Sequence, residues 1–125
     1  MSDKPRILIV DDDPAVTELL ELKLDELFEV RVTNDPREVQ ALVRLHQPDA
    51  VVCDIDMPGL DGGEVCFRLS QDPLTSHIPV LYLTAMVSAA EVKALDGTLG
   101  GRPGVSKGAP VPEIAKRILE VIATR

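Results

Sequence analysis

The stretch Val51-Val52-Cys53-Asp54-Ile55-Asp56-Met57-Pro58-Gly59 constrains this chain more than any other. A short run of apolar, β-favouring residues reaches a carboxylate, and the chain then breaks at Pro-Gly. That is the profile of a buried strand delivering one acid to the carboxyl edge of a sheet. In open α/β folds ligands bind beyond that edge. Asp54 is therefore the candidate reactive residue, and the rest of the chain must supply what such an acid needs.

The run from Arg6 to Val10 is a first strand, apolar enough to be covered on both faces, and it ends in Asp11-Asp12-Asp13 before Pro14. Asp13 is a natural N-cap and Pro14 a natural first helical residue. The helix that follows carries Val16, Leu19, Leu20, Leu24 and Leu27 on one stripe. Glu29 to Thr33 alternates as a short strand. Asn34-Asp35-Pro36 repeats the cap-then-proline start, for a second helix that turns Val39, Leu42 and Val43 inward and that Pro48 closes. Past the Pro58-Gly59 break, Asp61-Gly62-Gly63 opens a third helix through about Gln71, with Val65 and Leu69 inward; Asp72-Pro73 ends it. Ile78 to Thr84 is a fourth strand. A weaker helix is predicted from about Ser88 to Leu95. Asp96 to Gly104 is glycine-rich and reads as loose, and a poor fifth strand around Pro103 to Ser106 delivers Lys107. In the last helix Val111, Ile114, Ala115, Ile118, Leu119 and Ile122 follow the i, i+3, i+4 rhythm.

Five strands alternating with five helices through short loops describe an α/β fold with a parallel sheet covered on both faces. At 125 residues the chain forms one domain. Right-handed crossovers leave few topologies, and the doubly wound, flavodoxin-like order 2-1-3-4-5 sets strands one and three side by side at a switch point. The carboxyl ends of strands one, three, four and five then hold Asp11 and Asp12, Asp54, Thr84 and Lys107. The polar residues that interrupt the apolar runs thus converge on one edge.

Three carboxylates crowded together repel one another, and a hard divalent cation resolves this. Mg²⁺ takes one or two carboxylates, keeps some waters and readily adds a phosphate oxygen. Lys107 offers a compact positive charge for an anion and Thr84 a hydroxyl donor. An aspartate in such company is equipped to attack phosphorus and hold the acyl phosphate formed. Each residue alone has a plainer reading: Asp11-Asp12-Asp13 as a capped, solvated helix start, Thr84 as a strand-end or capping residue, Lys107 as a surface lysine. Their joint occurrence at four strand ends is what argues for chemistry.

Composition narrows the partners. A formal net charge of -8 argues against direct nucleic-acid or anionic-membrane binding. No apolar run approaches membrane-spanning length and the N-terminus lacks a signal peptide's apolar stretch, so a cytoplasmic location is expected. Cys53 and Cys66, thirteen residues apart, fit no metal or redox spacing and read as small buried thiols. His46 and His77 are isolated and are assigned no chemistry.

The pieces Ile-Leu-Ile-Val-Asp-Asp-Asp-Pro, Val-Cys-Asp-Ile-Asp-Met-Pro-Gly-Leu-Asp-Gly and Ile-Pro-Val-Leu-Tyr-Leu-Thr-Ala, with a late lysine after a short strand, resemble the receiver domain of bacterial two-component response regulators. The resemblance covers nearly the whole chain. It implies that Asp54 accepts a phosphoryl group from a sensor histidine kinase or phosphotransfer protein. It also implies that Asp11 and Asp12 hold Mg²⁺ together with Asp54 and the backbone carbonyl of Asp56. By the same resemblance Thr84 binds a phosphoryl oxygen and moves on activation, Lys107 pairs with the phosphate, and the domain phosphorylates and dephosphorylates itself in a Mg²⁺-dependent way without being a conventional enzyme. A downstream protein target is expected on the face made by the fourth helix, fifth strand and fifth helix.

Two departures from the family pattern fall near that face. The proline that usually follows the lysine is Gly108, and the switching aromatic three residues before the lysine is Gly104; Tyr82, on the same sheet face as Thr84, is a candidate substitute. An atypical receiver acting as a phosphorylation-independent docking module is the alternative these changes favour. A haloacid-dehalogenase-like phosphatase, with Asp54 as nucleophile and Asp56 as acid, is a remote one, since its acid pair would come last in the chain rather than first. A flavodoxin-type cofactor binder shares the architecture, but the first turn here is acidic where a phosphate needs donors. No output domain is expected within residues 1–125.

Overall fold

Four consecutive buried residues in β1 (Arg6–Val10), and five each in β3 (Ala50–Asp54) and β4 (Val80–Thr84), leave these strands no face for water. They form the centre of the sheet in the computed structural model, which describes residues 3–55, 57, 60–85, 88, 91–92, 98–99 and 102–124. Around them, in chain order, lie α1 (Pro14–Leu24), β2 (Glu29–Thr33), a 3-10 turn (Pro36–Glu38), α2 (Val39–His46), α3 (Gly62–Gln71), the short β5 (Thr98–Leu99), β6 (Arg102–Ser106) and α4 (Val111–Ala123). Strands β2-β1-β3-β4-β6 are parallel neighbours, so the doubly wound order predicted from sequence holds with β6 as the fifth strand.

Alternate residues of each strand pass to opposite faces. On one face Ile7, Ile9, Val52, Leu81 and Val105 belong to a single cluster with Leu20 and Leu24 of α1 and Ile114 and Ile118 of α4. On the other, Leu8, Val10, Val51, Cys53 and Tyr82 cluster with Val39 and Val43 of α2 and Val65 and Leu69 of α3. Each such side chain, fully buried, stabilises the fold by about 1.5–3 kcal/mol, so the two layers fix the sheet and with it the positions of its strand ends.

The predicted helix starts are borne out. Asp13 accepts a hydrogen bond from Ala15 N, Asp35 from Arg37 N and Asp61 from Glu64 N, each satisfying a free donor of a first turn. Asp35 caps the 3-10 turn that leads into α2 rather than the helix itself. Helix α2 stops at Gln47, held in the left-handed region at φ 46°, with its side-chain amide donating to Leu74 O at 2.9 Å. At Ser88 the backbone and side chain exchange hydrogen bonds with Glu91, a capping box that starts the weaker helix; the remainder of that predicted helix lies outside the described residues.

Several expectations need correction. Leu19 is 52% exposed, and Leu27, also predicted for the α1 stripe, lies beyond the helix and faces solvent. Because α1 ends at Leu24, the helical period no longer applies, and Phe28 takes the buried place instead. In α4 the stripe is Ile114, Ile118 and Val121; Leu119, about 100° further round the helix than Ile118, is exposed. Ile78 is buried but precedes the strand, which begins at Val80. The segment read as loose contains β5, which pairs antiparallel with β6 through Thr98↔Pro103 and Leu99↔Arg102 and makes the sheet six-stranded.

Candidate functional site

The register of the strands brings the expected polar residues to one edge. Val10 pairs with Cys53, Asp54 with Leu83, and Thr84 with Ser106, so Asp11, Asp54, Thr84 and Lys107 stand one beside the next where the parallel strands end. Asp11 is fully buried. Its N–H donates to Thr33 O, and its Oδ1 accepts from Asp13 N at 3.0 Å, so the first turn of α1 holds the carboxylate in place. Asp54 is 4% exposed at the end of β3. Asp12 is exposed at the mouth. One oxygen of each of Asp11, Asp12 and Asp54 lies within 4.8 Å of the others. The backbone carbonyl expected of Asp56 lies outside the described residues.

Lys107 closes the site from the β6 side. Its N–H donates to Thr84 O at 2.7 Å, and its Nζ stands 2.5 Å from Asp11 Oδ2 and 3.3 Å from Asp54 Oδ2. Burial pulls the ammonium toward the neutral form, but the Asp11 and Asp54 carboxylates beside it outweigh that and hold its pKa above the usual lysine value. Asp11 Oδ2 is buried and accepts no directed hydrogen bond among the described residues. Its compensation is the charge of Lys107, an ion pair whose approach does not meet hydrogen-bond geometry. Three carboxylates against one ammonium leave a formal charge of -2 (-3 and +1). A buried oxygen with unspent lone pairs and that residual charge fit an oxygen-seeking divalent cation such as Mg²⁺.

Two features shape the surroundings. Helix α3 starts so close to the acid-bearing strand that a Cβ on Gly62 would sit 2.6 Å from Asp54 O and 2.9 Å from Ile55 Cα. A groove of about 240 Å³, bounded by Val16 and Leu19 of α1, Ile114 of α4 and Lys107, opens beside the site, which is why Leu19 is not sealed in the core.

The departures noted in the sequence also acquire a structure. Leu99 fills the space over Gly104: a Cβ there would meet Leu99 Cδ1 at 2.5 Å. Leu99 packs against the cluster that holds Tyr82. Burial, then the neighbouring Cys66 thiol, pushes the Tyr82 hydroxyl up to about 12. Tyr82 is thus a core residue, one strand over from Gly104. Cys53 and Cys66 are free buried thiols that burial pushes up, as the plain reading of them expects.

The sequence matches the response regulator receiver domain family over residues 7–119. The chain belongs to that family. Among similar proteins, the DNA-binding dual master transcriptional regulator RpaA of Synechocystis is 45% identical over 83 residues, covering 66% of this chain and 34% of that protein. Response regulator PleD of Caulobacter vibrioides is 45% identical over 82 residues, 65% of this chain and 18% of its own length. The chain therefore spans about a third or less of these two relatives. A crystal structure from Chloroflexus aurantiacus, assigned as a response regulator, superposes with a TM-score of 0.80 at 34% identity, covering 97% of this chain and 99% of that one. Chemotaxis protein CheY4 of Vibrio cholerae shares the fold at a TM-score of 0.78 and 24% identity, covering 94% and 98% of the two chains.

A receiver domain of two-component signal transduction accounts for the acid cluster, and the haloacid-dehalogenase-like alternative gives way to the family match. No helix among the described residues of the receiver is long and apolar enough to cross a membrane. Two residues that support the site escaped the sequence reading. Asn34, which the sequence marks only as part of a helix start, donates from Nδ2 to both Asp11 O at 2.8 Å and Thr17 Oγ1 at 2.9 Å. Ser106, which the sequence marks only as strand, accepts at Oγ from Gly108 N at 3.1 Å. A lone amide or hydroxyl carries no periodic signal that would have marked either one.

Proposed function

We propose that this receiver accepts a phosphoryl group on Asp54 from a sensor histidine kinase or phosphotransfer protein and thereby switches its contacts with a downstream protein. The observation that carries the reading is the convergence of buried Asp11, buried Asp54 and the Lys107 ammonium at one sheet edge. An Asp54 oxygen attacks the phosphorus of an N-phosphoimidazole; the new O–P bond forms as the N–P bond breaks, and the imidazole departs. Lys107, already within reach of Asp54 Oδ2, stabilises the transferred oxygens by charge, and the Thr84 hydroxyl donates to one of them. Asp11 and Asp12, with Asp54 and the Asp56 carbonyl, would hold Mg²⁺. When bound there, that ion screens the repulsion between carboxylates and phosphoryl group and polarises the phosphoryl oxygens. The acyl phosphate is later lost by hydrolysis at the same site.

The added charge biases the loops after β3 and β4 through new hydrogen bonds, and the surface proposed for the downstream partner is the helix that starts at Ser88, β6 and α4. RpaA is named as a DNA-binding regulator. For this domain, with its net charge of -8, the contacts proposed are with proteins and not directly with nucleic acid, and its proposed location is the cytoplasm.

Intact mass after incubation with acetyl phosphate, with and without Mg²⁺ and beside Asp54→Asn, tests this. A single Mg²⁺-dependent phosphoryl adduct, absent from the variant, is expected. No adduct under conditions that preserve acyl phosphates, together with no Mg²⁺ binding, refutes the reading in favour of a phosphorylation-independent docking module.

A further inference from the structure

Lys107 must hold its ammonium between two carboxylates, yet it is followed by an exposed glycine, the residue that fixes its own backbone least. The restraint comes from the residue before it. Ser106 ends β6, is 3% exposed, and pairs with Thr84. Its carbonyl accepts from Ala109 N at 3.1 Å, closing a β-turn with Lys107 and Gly108 at the centre. Its Oγ accepts from Gly108 N at 3.1 Å, an ST-turn nested inside that β-turn. On the other side, the Lys107 N–H is tied to Thr84 O. The peptides on both sides of Lys107 are therefore fixed, one by the sheet and one by a buried hydroxyl. Gly108 lies outside the left-handed region, which rules out a type II turn, so the turn does not depend on the conformations open to glycine alone.

We propose that Ser106 is a positioning residue for phosphoryl transfer: its hydroxyl locks the Lys107–Gly108 turn and so aims the Lys107 ammonium at the acid pocket. This rests on the phosphoacceptor reading of Asp54. A misplacement of about 1 Å in a charge that stabilises a transition state can cost up to roughly a hundredfold in rate, so loss of this one restraint is expected to slow transfer by about tenfold.

Ser106→Thr and Ser106→Val have the same shape and differ in the oxygen alone; Ser106→Ala removes the hydroxyl without adding bulk. Phosphorylation rate from acetyl phosphate at saturating Mg²⁺, and Mg²⁺ affinity of the unphosphorylated protein by calorimetry, are read for each beside wild type. The expected result is a rate within about twofold of wild type for S106T and about tenfold slower for S106V and S106A. Mg²⁺ affinity in the slow variants is expected to be no weaker than wild type, because a loosened ammonium crowds the acids less. Equal rates for S106T and S106V, on a wild type that does take the phosphoryl group, overturn this inference alone. So does a loss of Mg²⁺ affinity in step with rate, which marks collapse of the acid pocket. A wild type that takes no phosphoryl group overturns the phosphoacceptor reading along with it.

Discussion

Gly62→Ala separates two forces that act in opposite directions. Alanine is the better helix former, and at an unobstructed helical position the exchange stabilises by up to about 1 kcal/mol. At Gly62 the new methyl would lie 2.6 Å from Asp54 O, which is 0.8 Å short of the 3.4 Å where ordinary contact begins. The obstructing atoms, Asp54 O and Ile55 Cα, belong to the backbone of the central strand and its exit, so no side chain can rotate away. Overpacking of this kind costs about 1–3 kcal/mol, so against the helix gain the net loss should be up to about 2 kcal/mol. The methyl can be accommodated only by pushing α3 away from Asp54, so the phosphorylation rate should fall as well. Gly63→Ala, one residue on, is the matched control. Its methyl would approach only the Asp61 carboxylate, at 3.3 Å, on an exposed surface, and it should be neutral or stabilising. Urea unfolding followed by circular dichroism gives the midpoints, and acetyl phosphate labelling gives the rates. A Gly62→Ala protein at least as stable as Gly63→Ala, with wild-type labelling, would refute the claim that α3 rests directly on the acid-bearing backbone.

Asn34→Ala removes the bridge from Asp11 O to Thr17 Oγ1 and should cost about 1–2 kcal/mol in the same unfolding assay, a large effect for a residue that the sequence marks only as part of a helix start. Gly104→Ala should cost less than Gly62→Ala, because the obstructing atoms are those of the flexible Leu99 side chain; in a Leu99→Ala background the penalty should largely vanish, a coupling of about 1 kcal/mol in a double-mutant cycle. Asp72 is held below the usual carboxylate range chiefly by the Leu74 N–H, with Gln40 and Arg44 helping against partial burial. A depressed pKa contributes stability above 3.8 that is lost as pH falls through the folded value, so Asp72→Asn should be the less stable protein at pH 7 and the gap should close in acid unfolding below pH 3.8. A gap that persists at low pH would mean that Asp72 acts through packing and not through charge.

The strand order and the acid edge were legible because both rest on signals that repeat. Apolar runs buried on two faces announce central strands, and an aspartate placed just before a helical pattern announces its start; Asp13 and Asp35 before proline and Asp61 before glycine all cap as their sequence context implies. Legibility failed where the signal depends on where an element stops. Leu27 fits the α1 stripe only if the helix continues, and the chain instead turns at Leu24, so Phe28 takes the interior. Leu119 looked as apolar as Val121, and the choice between them is set by the sheet beneath α4. Thr98 and Leu99 are too short a run to read as a strand; they pair because β6 offers them an edge. Asn34 and Ser106 act through side-chain hydrogen bonds, which depend on which neighbour the fold brings and not on any period.

The seat of Leu99 over Gly104 bears on how this domain should be compared with its relatives. Comparison column by column finds a missing side chain at position 104 and registers a lost function. In space the volume is filled, by a leucine lent from the neighbouring strand five residues earlier in the chain. Positions 99 and 104 should therefore drift together through the lineage, a bulky residue at one accompanying a small residue at the other. A receiver that regains an aromatic at 104 should first have surrendered the leucine at 99.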